Sequence, residues 1–295
     1  MGLSRVLFWR VAYARFLLKG RGPFWNAPGR TLIPGYQYLW RAGEFVRGVV
    51  ARVSGDACGV ALEFPRDDGR NAGIRLEVAD LLDRGLYHGV RLDPAWFLGA
   101  TVVDAGAYIG AFSIWALRHG AARVVAFEPD TLNADVLRRN LQSCSGNAKA
   151  TVVTKALWSS SGTQVLVGRG PLATLCLSSP QGRHADSSHV GRTLVPVTTL
   201  DEWVATASPA VKTVDVLKLD VEGAESQVLL GAAHVIKAHR PRIIACVYHF
   251  RSQGEEVLRA IRSLRGDYKC SFHGNGFWYS DADGAEVRPA LLLAE

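Results

Sequence analysis

From about residue 95 the chain alternates apolar strand-like runs with helical stretches, and no other feature constrains its fold as tightly. Thr101–Ala105 and Arg123–Phe127 read as buried strands, with further ones at 150–155, 213–219 and 242–247 and a hairpin strand over 163–168. Helices are expected over 111–119, 130–143, 224–238 and 254–264, and two strands close the chain. Such alternation calls for a mostly parallel sheet covered by helices on both faces. Right-handed crossovers then place a ligand crevice at the carboxyl ends of the strands.

Four segments put ionisable residues at those ends. In VVDAGAYIGAFS (102–113) a strand ends at Asp104, and Gly106 and Gly110 follow in a turn where a missing Cβ lets backbone approach a ligand. The spacing is G-x-x-x-G rather than G-x-G-x-x-G, and Asp104 would repel a pyrophosphate. Both points oppose a nicotinamide-dependent oxidoreductase; a cationic sulfonium ligand with an amino group tolerates the acid. In VVAFEPD (124–130) Glu128 is placed to accept hydrogen bonds from a ribose diol, and Asp130 to cap the next helix.

VDVLKLDVEGAESQVLLGA (214–232) ends its strand at Asp220, facing the same crevice. A carboxylate buried there without a partner would be costly or have a raised pKa, so a partner or a proton role is expected. Glu222 and Glu225 read either as site residues or as solvated acids at a helix N-terminus. Lys218, alone in an apolar strand, is expected to pair with an acid. His249, in RPRIIACVYHF (240–250), reads as ending the neighbouring strand, either as a structural residue or as a proton-transfer group beside Asp220.

These blocks, with VPVTTLDE at 195–202, resemble the FkbM family of S-adenosylmethionine-dependent methyltransferases over roughly residues 86–250. The resemblance implies a class I methyltransferase Rossmann-like α/β fold: a seven-stranded, mostly parallel sheet with one antiparallel strand near the end. It implies S-adenosyl-L-methionine as cofactor and methyl transfer, mostly to hydroxyl groups of sugars or natural products. By motif, Asp104, Gly106, Ala107, Tyr108 and Gly110 would line the methionyl part. Glu128 and Pro129 would hold the ribose, and Ala156 and Leu157 the adenine side. Asp220, Glu222 and His249 would face the transferable methyl group, with His249 or Asp220 as base and Glu222 orienting the acceptor. The family more often has Ala-Asn where this chain has Ala107-Tyr108, and 170–193 matches little, as a substrate-specificity loop would. Asp220, Glu222 and His249 are oxygen and nitrogen ligands of the right type for a divalent metal, but no H-x-x-x-H or paired Asp-Asp signature supports one there, so no metal is assigned. Alternatives from other classes are a non-catalytic cofactor-fold partner subunit and a methyltransferase acting on nucleic acid, although no N/D-P-P-Y/F motif or RNA-binding module is evident.

The formal net charge of +7 is concentrated at the N-terminus: residues 1–48 hold eight Arg or Lys against one acid, Glu44, and ten of the 27 aromatics. This basic-aromatic segment reads as a helix docked on its own domain or as a peripheral membrane contact through residues 1–20. With an irregular stretch at 20–43 and a β meander (45–53, 59–64, 73–77), it forms a cap over 1–85, ahead of a methyltransferase domain at 86–295. The five scattered cysteines read as reduced thiols. With no signal peptide evident, a cytoplasmic location is expected.

Overall fold

The computed structural model describes residues 62–64, 78, 80–83, 85–145, 150–168, 173–175, 191–274, 276–280 and 284–295. The expectations for residues 1–48, and for the meander apart from 62–64, lie outside the described residues.

A tight hairpin, β1 (Leu86–Tyr87) and β2 (Val90–Arg91), turns through His88 and Gly89 at φ 47° and 78°. A 3-10 turn at Pro94–Trp96 leads into β3 (Thr101–Ala105), α1 (Ala111–Arg118), β4 (Arg123–Phe127), α2 (Thr131–Ser145) and β5 (Ala150–Val153). Four strands follow: β6 (Ala156–Leu157), β7 (Gly162–Val167), β8 (Thr174–Leu175) and β9 (Arg192–Thr198). The chain returns to alternation with α3 (Leu200–Thr206), β10 (Val216–Leu219), α4 (Glu225–Leu230), α5 (Ala233–His239), β11 (Arg242–Cys246) and α6 (Gln253–Leu264). It ends with β12 (Cys270–His273), a hairpin of β13 (Gly276–Ser280) and β14 (Gly284–Arg288), and β15 (Leu291–Ala294).

The main sheet has seven strands in the order β12-β15-β11-β10-β3-β4-β5. The β11-β10-β3-β4-β5 block is parallel, and β15 runs antiparallel to both its neighbours. Successive residues of each strand bury against opposite layers, as the two-residue pleat requires. Val103, Ala105, Leu217, Leu219 and Ile243 pack with Val228, Leu229, Val235, Ile236, Val257 and Ile261 of α4, α5 and α6. Val102, Val124, Val216 and Ile244 pack on the other side with Phe97, Phe112 and Trp115. The strand order reverses between β3 and β10, so the crevice of a doubly wound sheet opens there.

Three features depart from the sequence reading, the first being that four strands and not two follow α6, with β13 and β14 paired in a hairpin of their own. The hairpin expected at 163–168 is part of a separate four-stranded sheet, β6-β9-β7-β8. The single helix expected over 224–238 is two, α4 and α5, broken at Gly231. The carboxylate of Asp201 accepts from the backbone N–H groups of His234 (2.8 Å) and Val235 (2.9 Å), and its own N–H donates to the Gly231 carbonyl (3.0 Å). Asp201 therefore caps α5 from a distant segment. A Cβ on Gly231 would lie 1.9 Å from the Trp158 carbonyl oxygen, so only glycine fits the break. Among the described residues, no helix is long and apolar enough to cross a membrane.

Candidate active site

Parallel register places Lys218 directly beside Asp104 on the adjacent strand. Both are buried, and Lys218 Nζ donates to Asp104 Oδ1 at 2.8 Å while Ser113 Oγ donates to Oδ2 at 2.7 Å. Lys218 Nζ also donates to the carbonyls of Gly106 (2.9 Å) and Ala105 (3.3 Å). Burial alone would lower the Lys218 pKa, but the Asp104 and Asp220 carboxylates outweigh it and raise it. The expected structural partner of Lys218 is thus Asp104. The Asp104 carboxylate, fully enclosed, does not itself line the crevice. Its hold on the turn runs through Lys218.

Packing inside the protein requires both glycines of that turn, and Gly106 also lines the crevice. A Cβ on Gly106 would lie 1.9 Å from the Asp220 carbonyl oxygen, and one on Gly110 would lie 2.5 Å from Leu137 Cδ1. Both glycines have positive φ, and so does Tyr108 at 49°. That left-handed position suits Asn far better than a bulky side chain. Ala107 is buried, and Tyr108 donates its backbone N–H to Glu128 Oε2 at 2.9 Å.

Glu128 follows β4 at the crevice floor. It also accepts from Asp130 N (3.0 Å) and Asn133 Nδ2 (3.3 Å). Burial pushes its pKa up to about 7, although these three hydrogen bonds favour the ionised form. Asp130 accepts from Leu132 N and Asn133 N, the cap expected at the start of α2.

One crevice joins Gly106, Tyr108, Glu128 and Pro129 to Ala156 and Leu157, and to Asp220 and Glu222. Phe127, Leu166, Ala173 and Leu175 complete an apolar wall. Leu166 and Leu175 belong to the four-stranded sheet and were not singled out in the sequence. Ala173 and Leu175 fall within 170–193; the greater part of that stretch (170–172 and 176–190) lies outside the described residues.

Asp220 is a hub. Tyr87 Oη donates to Oδ2 at 2.8 Å and Tyr248 Oη to Oδ1 at 3.4 Å; His88 Nε2 and His249 Nε2 each lie 3.5 Å away. Burial would raise its pKa, but His249, His88 and Lys218 overcome that and hold it well below the usual carboxylate range. A carboxylate held this low is a weak proton acceptor, which favours an electrostatic role for Asp220 over that of a base. His249 lies three residues beyond the end of β11 rather than ending the strand. Burial would depress its pKa, yet Glu225, Asp220 and Glu222 raise it well above the ordinary histidine value.

Glu225 is not a solvated helix acid. It is fully buried, accepting from Val221 N (3.0 Å) and from Gln253 Nε2, and burial raises its pKa. Glu222 is partly exposed and sits at φ 54°, with its carbonyl held by Thr174 Oγ1 at 2.8 Å. Tyr87, His88, Tyr248 and Gln253 escaped the sequence reading; the only local signal was a Tyr-His-Gly turn between two short apolar runs.

Strand order and switch point define a class I methyltransferase fold, with Glu128, Asp220 and Glu222 lining its crevice. Residues 104–272, more than half of the chain, match the methyltransferase FkbM domain, and the chain belongs to that family. It is 32% identical over 153 residues to methyltransferase sdnD of Sordaria araneosa, a match covering 44% of this chain and 59% of that protein. Among solved structures, methyltransferase FkbM of Methylobacillus flagellatus KT aligns with TM-score 0.46 and 19% identity over 88% of this chain and 60% of that one. The magnesium protoporphyrin IX methyltransferase of Synechocystis PCC 6803, with bound S-adenosylmethionine, aligns with TM-score 0.40 and 14% identity over 88% and 94% of the two chains.

Proposed function

We propose that the protein transfers a methyl group from S-adenosyl-L-methionine to a hydroxyl on a sugar, glycolipid or natural product. The observation that carries this is a crevice lined by Glu128, beyond β4, by Asp220, beyond β10, and by an apolar wall. The donor set fits the cofactor. A carboxylate has about four acceptor sites; Glu128 uses three, and the Asn133 contact at 3.3 Å is the longest and the one a ribose hydroxyl displaces most readily. Phe127, Ala156, Leu157, Leu166 and Leu175 suit the adenine face. Asp220 and Glu222 suit the positive sulfonium and ammonium, and they would repel the pyrophosphate of a dinucleotide.

The cofactor supplies an electrophilic methyl group. The acceptor oxygen forms a bond to that carbon as the carbon–sulfur bond breaks, sulfur keeps the electron pair, and the hydroxyl proton must leave. The protein's part is to align the acceptor at about 3–3.5 Å and to activate it. Asp220, a fixed anion, stabilises positive charge and orients its neighbours. Activation falls to the Glu222 carboxylate, 3.5 Å from His249 Nε2, either by taking the proton or by sharing with His249 a cation that acidifies the hydroxyl.

A labelled-methyl transfer screen over sugars, glycolipids and polyketides tests this reading, with Asp220→Asn and His249→Ala alongside the wild type. Label transfer by the wild type and its loss in both variants is the expected result. Equal labelling by all three would remove the assignment of these residues.

A further inference from the structure

The geometry points to a divalent metal site formed by Asp220, Glu222 and His249 at the acceptor end of the crevice. One ligand atom from each of these residues lies within 4.8 Å of the others. His249 Nε2 is 3.5 Å from Asp220 Oδ1 and 3.5 Å from Glu222 Oε1. Ligands bound about 2.0–2.2 Å from one cation, roughly at tetrahedral to octahedral angles, stand about 3–3.5 Å apart. The spacing is too long for hydrogen bonding and suited to a shared ion.

A cluster of acids alone would not carry this. The imidazole does: its side chain is 8% exposed, and Nε2 is buried without a hydrogen-bond partner while aimed between the two carboxylates. The groups behind the ligands are in place as well. Tyr87 and Tyr248 orient Asp220, and Glu225 Oε1 stands 3.6 Å from His249 Nδ1. Gln253 Nε2 lies 3.1 Å from the same nitrogen. Cation binding requires the ring proton on Nδ1, facing the Glu225 carboxylate, so Gln253 Nε2 then donates to Glu225 and not to the ring; a carboxylate behind the imidazole is common to many metal sites. One imidazole with two carboxylates suits a first-row ion such as Mn²⁺ or Zn²⁺ better than Ca²⁺.

Asp220 and Glu222 line the crevice, so the open positions of the ion would face the acceptor. The use of the ion rests on the methyl-transfer reading: it binds the acceptor hydroxyl and acidifies it, the proton passes to solvent water, and the oxygen attacks the sulfonium methyl. Its binding does not rest on that reading.

Mn²⁺ titrated into the full chain, with free Mn²⁺ followed by its paramagnetic resonance signal, tests the site without any acceptor. One saturable site is expected, weakened at least about tenfold in Glu222→Gln and in His249→Ala. Glu222 is partly exposed, so its variant keeps the test valid if the histidine variant fails to fold. No saturable binding to the wild type, or equal binding by Glu222→Gln, overturns the proposal. S-adenosylhomocysteine binding measured in parallel separates the two readings. A chain that binds S-adenosylhomocysteine but shows no saturable Mn²⁺ binding removes the cation site alone, and one that binds Mn²⁺ but no S-adenosylhomocysteine removes the cofactor reading alone.

Discussion

Lys218 Nζ lies 2.8 Å from Asp104 Oδ1 and 2.9 Å from the Gly106 carbonyl, so one ammonium ties two neighbouring strands to the turn at the crevice floor. Removing one partner leaves the other charge buried and uncompensated. Lys218→Met is expected to cost about 3–5 kcal/mol of stability. The double variant Asp104→Leu/Lys218→Met should recover most of that loss. Denaturant unfolding of Lys218→Met, Asp104→Leu and the double variant measures the coupling, and simple additivity would contradict the ion pair.

Glu128 links binding to pH. Its pKa of about 7 in the folded protein against an ordinary 4.5 means that folding favours its protonated form. Stability from this group is therefore full below about pH 4.5 and declines as pH rises toward 7. A ribose that donates hydrogen bonds favours the carboxylate, so cofactor affinity should rise with pH through the same window. Calorimetry of S-adenosylhomocysteine binding at about pH 6, in buffers of different ionisation enthalpy, should show proton release that vanishes in Glu128→Gln. Release undiminished in the variant would place the titrating group elsewhere.

Tyr108 holds φ 49°, a conformation that costs a bulky residue roughly 1–3 kcal/mol. Tyr108→Asn should raise the melting temperature while the backbone bond to Glu128 persists. A lower melting temperature would show that the tyrosine ring contributes more than its strained backbone costs.

The VPVTTLDE block contributes to architecture. Thr199 caps α3 by accepting from Glu202 N at 3.0 Å, and Asp201 caps α5. Asp201→Ala should lose about 1 kcal/mol of stability and leave S-adenosylhomocysteine affinity unchanged. A large loss of affinity would place this block in the site.

Much of this was legible in the sequence, for identifiable reasons. β3, β4 and β10 are short apolar runs, each followed at or near its end by an acid, and a parallel sheet brings those ends to one side. Glu128 and Asp220 could therefore be placed together without coordinates. The groups surrounding Asp220 could not, because Tyr87 and His88 arrive on a two-residue-strand hairpin and Tyr248 on an irregular segment, neither with a periodic signal. The break between α4 and α5 was hidden too, since Asp201, which caps the second helix, lies 33 residues before His234. For Glu225 the solvated reading stayed open beside the site reading because helix N-terminal acids are usually solvated; α6 supplies the Gln253 that packs over it.

Calorimetric titration of S-adenosylhomocysteine into the wild type, Glu128→Gln and Asp220→Asn tests the central claim most directly. The two-carboxylate crevice predicts saturable binding to the wild type, at least about tenfold weaker in each variant, and no heat with NAD. Absence of saturable binding to the folded wild type, or equal affinity in all three proteins, would contradict it.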